Sequence, residues 1–345
     1  MARRIANPFL SRSFQRTLTA MTRTAMRTGT KAVKQALRAV PAARKPTVAK
    51  QASAAGAHWN AGVAIGAAGA RRYRLFKPPG VRRSERLPLL VMLHGCGQDA
   101  QALADVSLMN RIATRERFLV LYPEQDRLAN AQRCWNWYAT RTGRAQSEAD
   151  AINAAIDQIC VKHPVDPARI ALAGLSAGAG MAALLATRHP ERFRAVAMHS
   201  GIAPGVAHSS TTALSAMRGR RPANGPLTPL AAGAPLPALL VIQGSADHLV
   251  APINGTDAAR LWAAREAATA GQPRTVQRGT RHAATVTDYR AGGRLVATLC
   301  VINGLGHAWS GGAAGCPYGD PKGPDASRMI WSFVARQFAC HAPRI

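Results

Sequence analysis

Residues 169–190 read RIALAGLSAGAGMAALLATRHP, and the reading of this stretch decides the fold. Arg169–Ala173 is a short apolar run of strand type, and Ala177–His189 is a small-residue helix closed by His-Pro. Between them Gly174-Leu175-Ser176-Ala177-Gly178 forms G-x-S-x-G, a serine with glycine on both sides. A sharp strand-to-helix turn needs those glycines because the serine backbone is strained and its surroundings are crowded. The turn lifts the Ser176 hydroxyl above the sheet and sets the Ala177 N–H at a helix N-terminus, where developing negative charge is stabilised.

Outward from this turn the same alternation repeats. Leu87–His94, Phe118–Tyr122, Arg194–His199, Ala238–Gln243 and Val296–Ile302 are continuous apolar runs, as expected of strands buried on both faces of a parallel sheet. Glu148–His163 and Asp325–Phe338 read as helices, and Ala61–Ala70 as a loop and first strand. The expected architecture is a single three-layer α/β domain over residues 56–345, preceded by a leader over 1–55. Ser209–Pro237, rich in Gly, Pro, Ala and Arg, reads as an aperiodic excursion placed where a lid could sit.

Hydrophobic residues make up 47% of the 345 and charged residues 18%, so the chain can bury a core, and its apolar runs are too short for a transmembrane helix. The net charge of +28 is concentrated: eighteen of the 45 Lys and Arg precede Glu85, the first acidic residue. Ile5, Phe9, Phe14, Leu18 and Met21 approximate one helical face, so the leader is expected to be either a solvated tail or a basic amphipathic helix. It has no secretory h-region, and the cytoplasm is the expected location, with export as the alternative. Six cysteines form no CxxC pair and the histidines lack zinc-ligand spacing, so no metal site and no cofactor are expected.

A serine nucleophile needs a base and an orienting acid, and on such a sheet they follow in the order Ser, acid, His. Asp247 lies 71 residues after Ser176, just beyond the strand Ala238–Gln243, and His307 lies 60 further on, just beyond Val296–Ile302. His248 is the rival base, but it adjoins Asp247; His282 and His341 lack the context of a preceding strand. The loop His94-Gly95-Cys96-Gly97-Gln98 follows the first core strand, making the Cys96 N–H the expected second oxyanion donor beside that of Ala177, with His94 shaping the loop. His94, Trp135, Trp137 and Trp309, with Tyr138, are the expected substrate-lining residues.

Together HGCGQ (94–98), CWNW (134–137), GLSAGAG (174–180), QGSADHLVAP (243–252) and GLGHAWSG (304–311) resemble the polyhydroxybutyrate depolymerase family of esterases over about residues 60–340. The resemblance implies an α/β-hydrolase sandwich with a mostly parallel central sheet. It also implies Ser176 as nucleophile, His307 as base, Asp247 as orienter, and a Cys96–Cys134 disulfide, which a reducing cytosol would disfavour. The implied substrate is a polyester granule; small feruloyl, acetyl or acyl esters are the alternative. The basic leader and the end of the chain after its last helix resemble intracellular depolymerases, with the leader docking on the granule surface. A binding protein that docks through the basic leader on a granule or on nucleic acid is a further alternative, although nucleic-acid binding is not expected.

Overall fold

The computed structural model describes residues 58–221, 223 and 235–340. The leader, its boundary at residue 55 and His341 therefore lie outside the described residues. In chain order the elements are β1 (His58–Gly66), β2 (Gly69–Lys77), β3 (Leu87–Leu93), α1 (Ala100–Ser107), α2 (Met109–Glu116), β4 (Leu119–Pro123), α3 (Arg144–Lys162), β5 (Val165–Leu175), α4 (Ala177–Arg188), β6 (Ala195–His199), α5 (Ser210–Met217), β7 (Ala238–Gly244), α6 (Ile253–Arg265), β8 (Thr269–Ala270), β9 (Arg274–Val276), β10 (Ala284–Ala291), β11 (Arg294–Ile302), β12 (Trp309–Ser310), β13 (Gly319–Asp320) and α7 (Ala326–Cys340).

Strands β4, β3, β5, β6, β7 and β11 form a parallel centre in that order. The β1–β2 hairpin extends one side by antiparallel pairing of β2 with β4, and β10, with β8 and β9, extends the other. Side-chain alternation splits the apolar residues of the centre between two cores. Leu89, Val91 and Leu93 of β3 join Ile152, Ile156 and Ile159 of α3, Leu184 of α4 and Trp262 of α6. Leu90 and Met92 join Leu103 of α1, Ile112 of α2 and Ile330, Phe333 and Val334 of α7 on the opposite face. Each such side chain contributes roughly 1.5–3 kcal/mol by leaving water, and with both faces covered the strands need no polar alternation. Pro88, which has no N–H for the ladder, coincides with the register shift between Leu87 and Leu89 opposite β5.

The excursion contains more order than its composition indicates. Its start is the helix α5, closed at its N-terminus by a reciprocal capping box between Ser209 and Thr212. The Asn254 amide donates to the carbonyls of Ala216 (2.9 Å) and Ala251 (3.1 Å), tying the end of α5 to the loop after β7. The aperiodic reading of Ser209–Pro237 is thus corrected for 210–217: short Ser/Thr/Ala runs carry little helical periodicity, and here a cap and a tertiary anchor supply the order. No helix among the described residues is long and apolar enough to cross a membrane.

Candidate active site

The parallel strands end on one edge of the sheet, and the residues read from the sequence gather in the loops there. Ser176 sits between β5 and α4 with φ 56° and ψ −120°, a left-handed backbone that a residue with a side chain adopts only under constraint. Its N–H is tied to the His199 carbonyl at 2.8 Å, while its own carbonyl accepts from Ala179 and Gly180 as the helix begins. The flanking glycines are needed for close approach. A Cβ on Gly178 would strike the carbonyl oxygens of Leu93 and His94, and one on Gly174 would strike the backbone of Gly178 and Ala179.

Asp247 and His307 meet across their two loops. His307 Nδ1 lies 2.8 Å from Asp247 Oδ2, with the carboxylate fully buried and the imidazole side chain 10% exposed. The other carboxylate oxygen, Oδ1, accepts from the N–H groups of Leu249 (3.0 Å) and Val250 (2.8 Å), and Gln243 Nε2 donates to Oδ2 at 3.3 Å. Burial alone would raise the Asp247 carboxyl. The hydrogen bond and charge of His307 and the two backbone N–H groups more than offset it, holding the group below the usual carboxylate range. An ionised Asp247 fixes the proton of His307 on Nδ1 and leaves Nε2 as the acceptor. No hydrogen bond links Ser176 Oγ to His307 among the described residues; in ligand-free sites that contact is commonly long and tightens with substrate.

The HGCGQ loop lies against the serine: a Cβ built on Gly95 would stand 3.6 Å from Ser176 Cβ. His94 sets the direction of its peptides. The Gln125 N–H donates to His94 Nε2 at 3.1 Å, so the ring proton sits on Nδ1 and is donated to the Gly95 carbonyl at 2.8 Å. In a planar trans peptide the following N–H points the opposite way, so the Cys96 N–H is turned away from the buried imidazole. Among the described residues neither this N–H nor that of Ala177 has a partner within the chain. Two unpaired donors flanking a strained serine are what an oxyanion requires.

The substrate-lining expectation needs correction. His94, Trp135 and Trp309 are 0% exposed and Trp137 is 6% exposed, so these residues support the loops from behind. Trp135 donates its indole N–H to the His94 carbonyl (3.0 Å) and lies under the Arg71 guanidinium, 5.2 Å from its ring centroid. Trp309 donates to Ser327 Oγ (3.1 Å) and stacks on His199, and Trp137 packs against Gly180 of α4. Large apolar rings with one polar atom fill cores as readily as clefts, and in Trp135 and Trp309 the polar atom finds its partner inward. Tyr138 is half-buried, edge-on to Trp137. His248 is exposed and His282 faces Asp320 at 3.4 Å, so neither competes with His307 for Asp247.

Two neighbours of the site were not read from the sequence. Tyr318, in the left-handed region at φ 60°, stands edge-on to His307 with centroids 6.4 Å apart. His199, at the end of β6, lies fully buried beneath the serine turn. Nothing in either local sequence marks it, since burial and a tertiary ring contact leave no local pattern.

Cys96 and Cys134 are joined in a disulfide that ties the HGCGQ loop to the segment after β4. Cys160, Cys300, Cys316 and Cys340 are free. Thiol titration of the denatured, unreduced protein is expected to count those four, and six after reduction; six without reduction would show the bond to be absent.

The family described as Esterase PHB depolymerase matches residues 71–269. Poly(3-hydroxyalkanoate) depolymerase C of Paucimonas lemoignei is 34% identical over 175 residues, which cover 48% of this chain and 42% of that protein. Feruloyl esterase B of Neurospora crassa is 31% identical over 117 residues, or 33% of this chain and 39% of that one. The chain thus spans less than half the length of these two relatives. Among solved structures, an acetyl xylan esterase from Aspergillus awamori superposes with a TM-score of 0.58 at 16% identity, covering 80% of this chain and 99% of that one, a likeness of fold. The sheet order, the turn at Ser176 and the match over 71–269 lead to one conclusion: the chain has the α/β-hydrolase fold and belongs to the PHB depolymerase esterase family.

Proposed function

We propose that the protein is a serine esterase that hydrolyses poly(3-hydroxybutyrate) or a related short-chain polyhydroxyalkanoate through Ser176, His307 and Asp247. The observation that carries this reading is the 2.8 Å Asp247–His307 contact, set on the same sheet edge as the strained serine and its unpaired N–H groups. His307 Nε2 takes the Ser176 proton as Oγ attacks the ester carbonyl, and the N–H groups of Cys96 and Ala177 hold the oxyanion. Each such donor is worth roughly 3 kcal/mol of barrier. Collapse expels the alkoxide, which takes the proton back from His307 and leaves an acyl-serine. Water, deprotonated by His307, attacks that ester, and the second collapse frees the acid and returns the proton to Ser176.

The choice of polymer rests on the depolymerase relative at 34% identity. The feruloyl esterase at 31% favours a second reading, in which small esters are the substrates. Amorphous polyhydroxybutyrate granules and p-nitrophenyl butyrate separate the two. Clearing of granules by the full-length protein supports the polymer; turnover of the chromogenic ester without clearing supports the small-ester reading. In either case Ser176→Ala is expected to lower turnover by roughly 10⁴-fold or more, and substantial remaining activity would end the assignment of the nucleophile.

Residues 1–55, with twelve Lys and Arg and no acidic residue, are part of the same proposal as a granule-docking leader. The location proposed with it is the cytoplasm, at the granule surface, with export as the alternative; the Cys96–Cys134 bond favours that alternative, because such bonds persist in oxidising compartments.

A further inference from the structure

We propose that His199 is a positioning residue that fastens the His307 loop to the serine turn through its neutral imidazole. The inference rests on the assignment of Ser176 and His307 above. Three contacts carry it. The His199 carbonyl accepts the Ser176 N–H at 2.8 Å, so its backbone supports the turn bearing the nucleophile. Its Nε2 accepts the backbone N–H of Ser310 at 3.1 Å, three residues beyond His307. Its ring stacks on Trp309 between them, with centroids 5.1 Å apart and planes 24° apart.

The tautomer follows from the donors. A backbone N–H can only donate, so Nε2 is unprotonated and Nδ1 carries the hydrogen, 3.2 Å from Ser200 Oγ. Ser200 itself sits in the left-handed region at φ 53°, its N–H held by the Ile242 carbonyl of β7 at 2.9 Å. His199 therefore joins β6, β7 and the loop after β11, the ground on which Ser176, Asp247 and His307 stand. Protonation of Nε2 would break the bond to Ser310 and place a cation beside His307. Burial, with the nearby His307 charge, pushes this imidazole down to about 3, which keeps it neutral.

The geometry assigns His199 no contact with substrate, so its removal should affect turnover and leave binding almost untouched. His199→Met has similar length and only a weakly accepting thioether; His199→Gln can place its amide oxygen where Nε2 stood. For His199→Met, kcat on p-nitrophenyl butyrate is expected to fall ~30- to 100-fold with KM within ~3-fold, the scale of a small misplacement of a reacting group. His199→Gln should restore kcat to within ~5-fold of the parent, because a hydrogen bond lost on one side only is the costly event. Full kcat in His199→Met overturns the inference, as does equal loss in both variants when both are folded.

If His199→Met does not fold, ¹⁵N NMR of the unmodified full-length chain decides. His199 Nε2 should resonate as an unprotonated acceptor coupled across the hydrogen bond to the Ser310 amide, both before and after phosphonylation of Ser176. A protonated Nε2, or no coupling, overturns the inference. Ser176→Ala keeps the two proposals apart: an active Ser176→Ala protein defeats the nucleophile assignment, whereas an inactive one beside a fully active His199→Met defeats only the role given to His199.

Discussion

Asp247→Asn is expected to lower kcat by roughly 10⁴-fold while leaving the fold intact, because it selects the wrong tautomer of His307. The surroundings dictate which way the new amide faces. Oδ1 of Asp247 takes two backbone N–H groups, from Leu249 and Val250, at 3.0 and 2.8 Å. Only an oxygen can sit there, so the asparagine NH2 is forced into the place of Oδ2, 2.8 Å from His307 Nδ1. The imidazole must then accept at Nδ1 and carry its proton on Nε2, where it can no longer take the hydrogen of Ser176. Substrate affinity should change little, since the carboxylate is buried away from solvent. Steady-state kinetics on p-nitrophenyl butyrate, with ¹⁵N NMR of the His307 tautomer, checks both halves. A variant within tenfold of the parent would show that His307 is oriented by something else.

The same site shows what a sequence can and cannot disclose. The gathering of Ser176, Asp247 and His307 on one edge was legible because each follows an apolar strand, and strand order on a parallel sheet sends such loops to one edge. The central strands were legible for a related reason: β3, β4, β6 and β7 are buried along their whole length and leave unbroken apolar runs. The strand β10 was not, because Ala284–Ala291 carries Thr, Asp and Arg on a half-exposed antiparallel strand. The short helices α1, α2 and α5 escaped for want of length. The tryptophans were misplaced for a deeper reason. A ring beside a motif can line the cleft or support it, and only its burial and the direction of its indole N–H, set by the finished fold, separate the two. The supporting roles of His94 and His199 depend likewise on what reaches them from distant segments: Gln125 N–H for one, Ser310 N–H for the other.

Those two histidines also make the fold acid-sensitive, and the expected loss is large. Burial is the leading cause for both, holding His94 down to about 4 and His199 to about 3, against 6.5 for an unperturbed imidazole. Between those values the unfolded chain binds protons that the folded chain does not. Stability therefore increases with pH across this window: it is fully present above about 6.5 and is lost as pH falls. Each unit of pH below 6.5 costs about 1.4 kcal/mol per histidine, so at pH 5 the pair removes roughly 4 kcal/mol, a large part of an ordinary domain's 5–15 kcal/mol. Pushing either pKa lower would not change that figure, because at pH 5 both folded-state histidines are already neutral. Asp247, held low, adds its own loss only at more acidic pH, below its unfolded value of 3.8. Asp105, raised by its burial, works in the opposite sense. Urea unfolding at pH 7.5, 6 and 5 should show the midpoint falling with steepening slope, and His199→Gln should remove about half of the dependence. A midpoint constant from pH 7.5 to 5 would mean that neither imidazole is neutral by burial, and the tautomers that aim the Cys96 and Ser310 N–H groups would have to be abandoned.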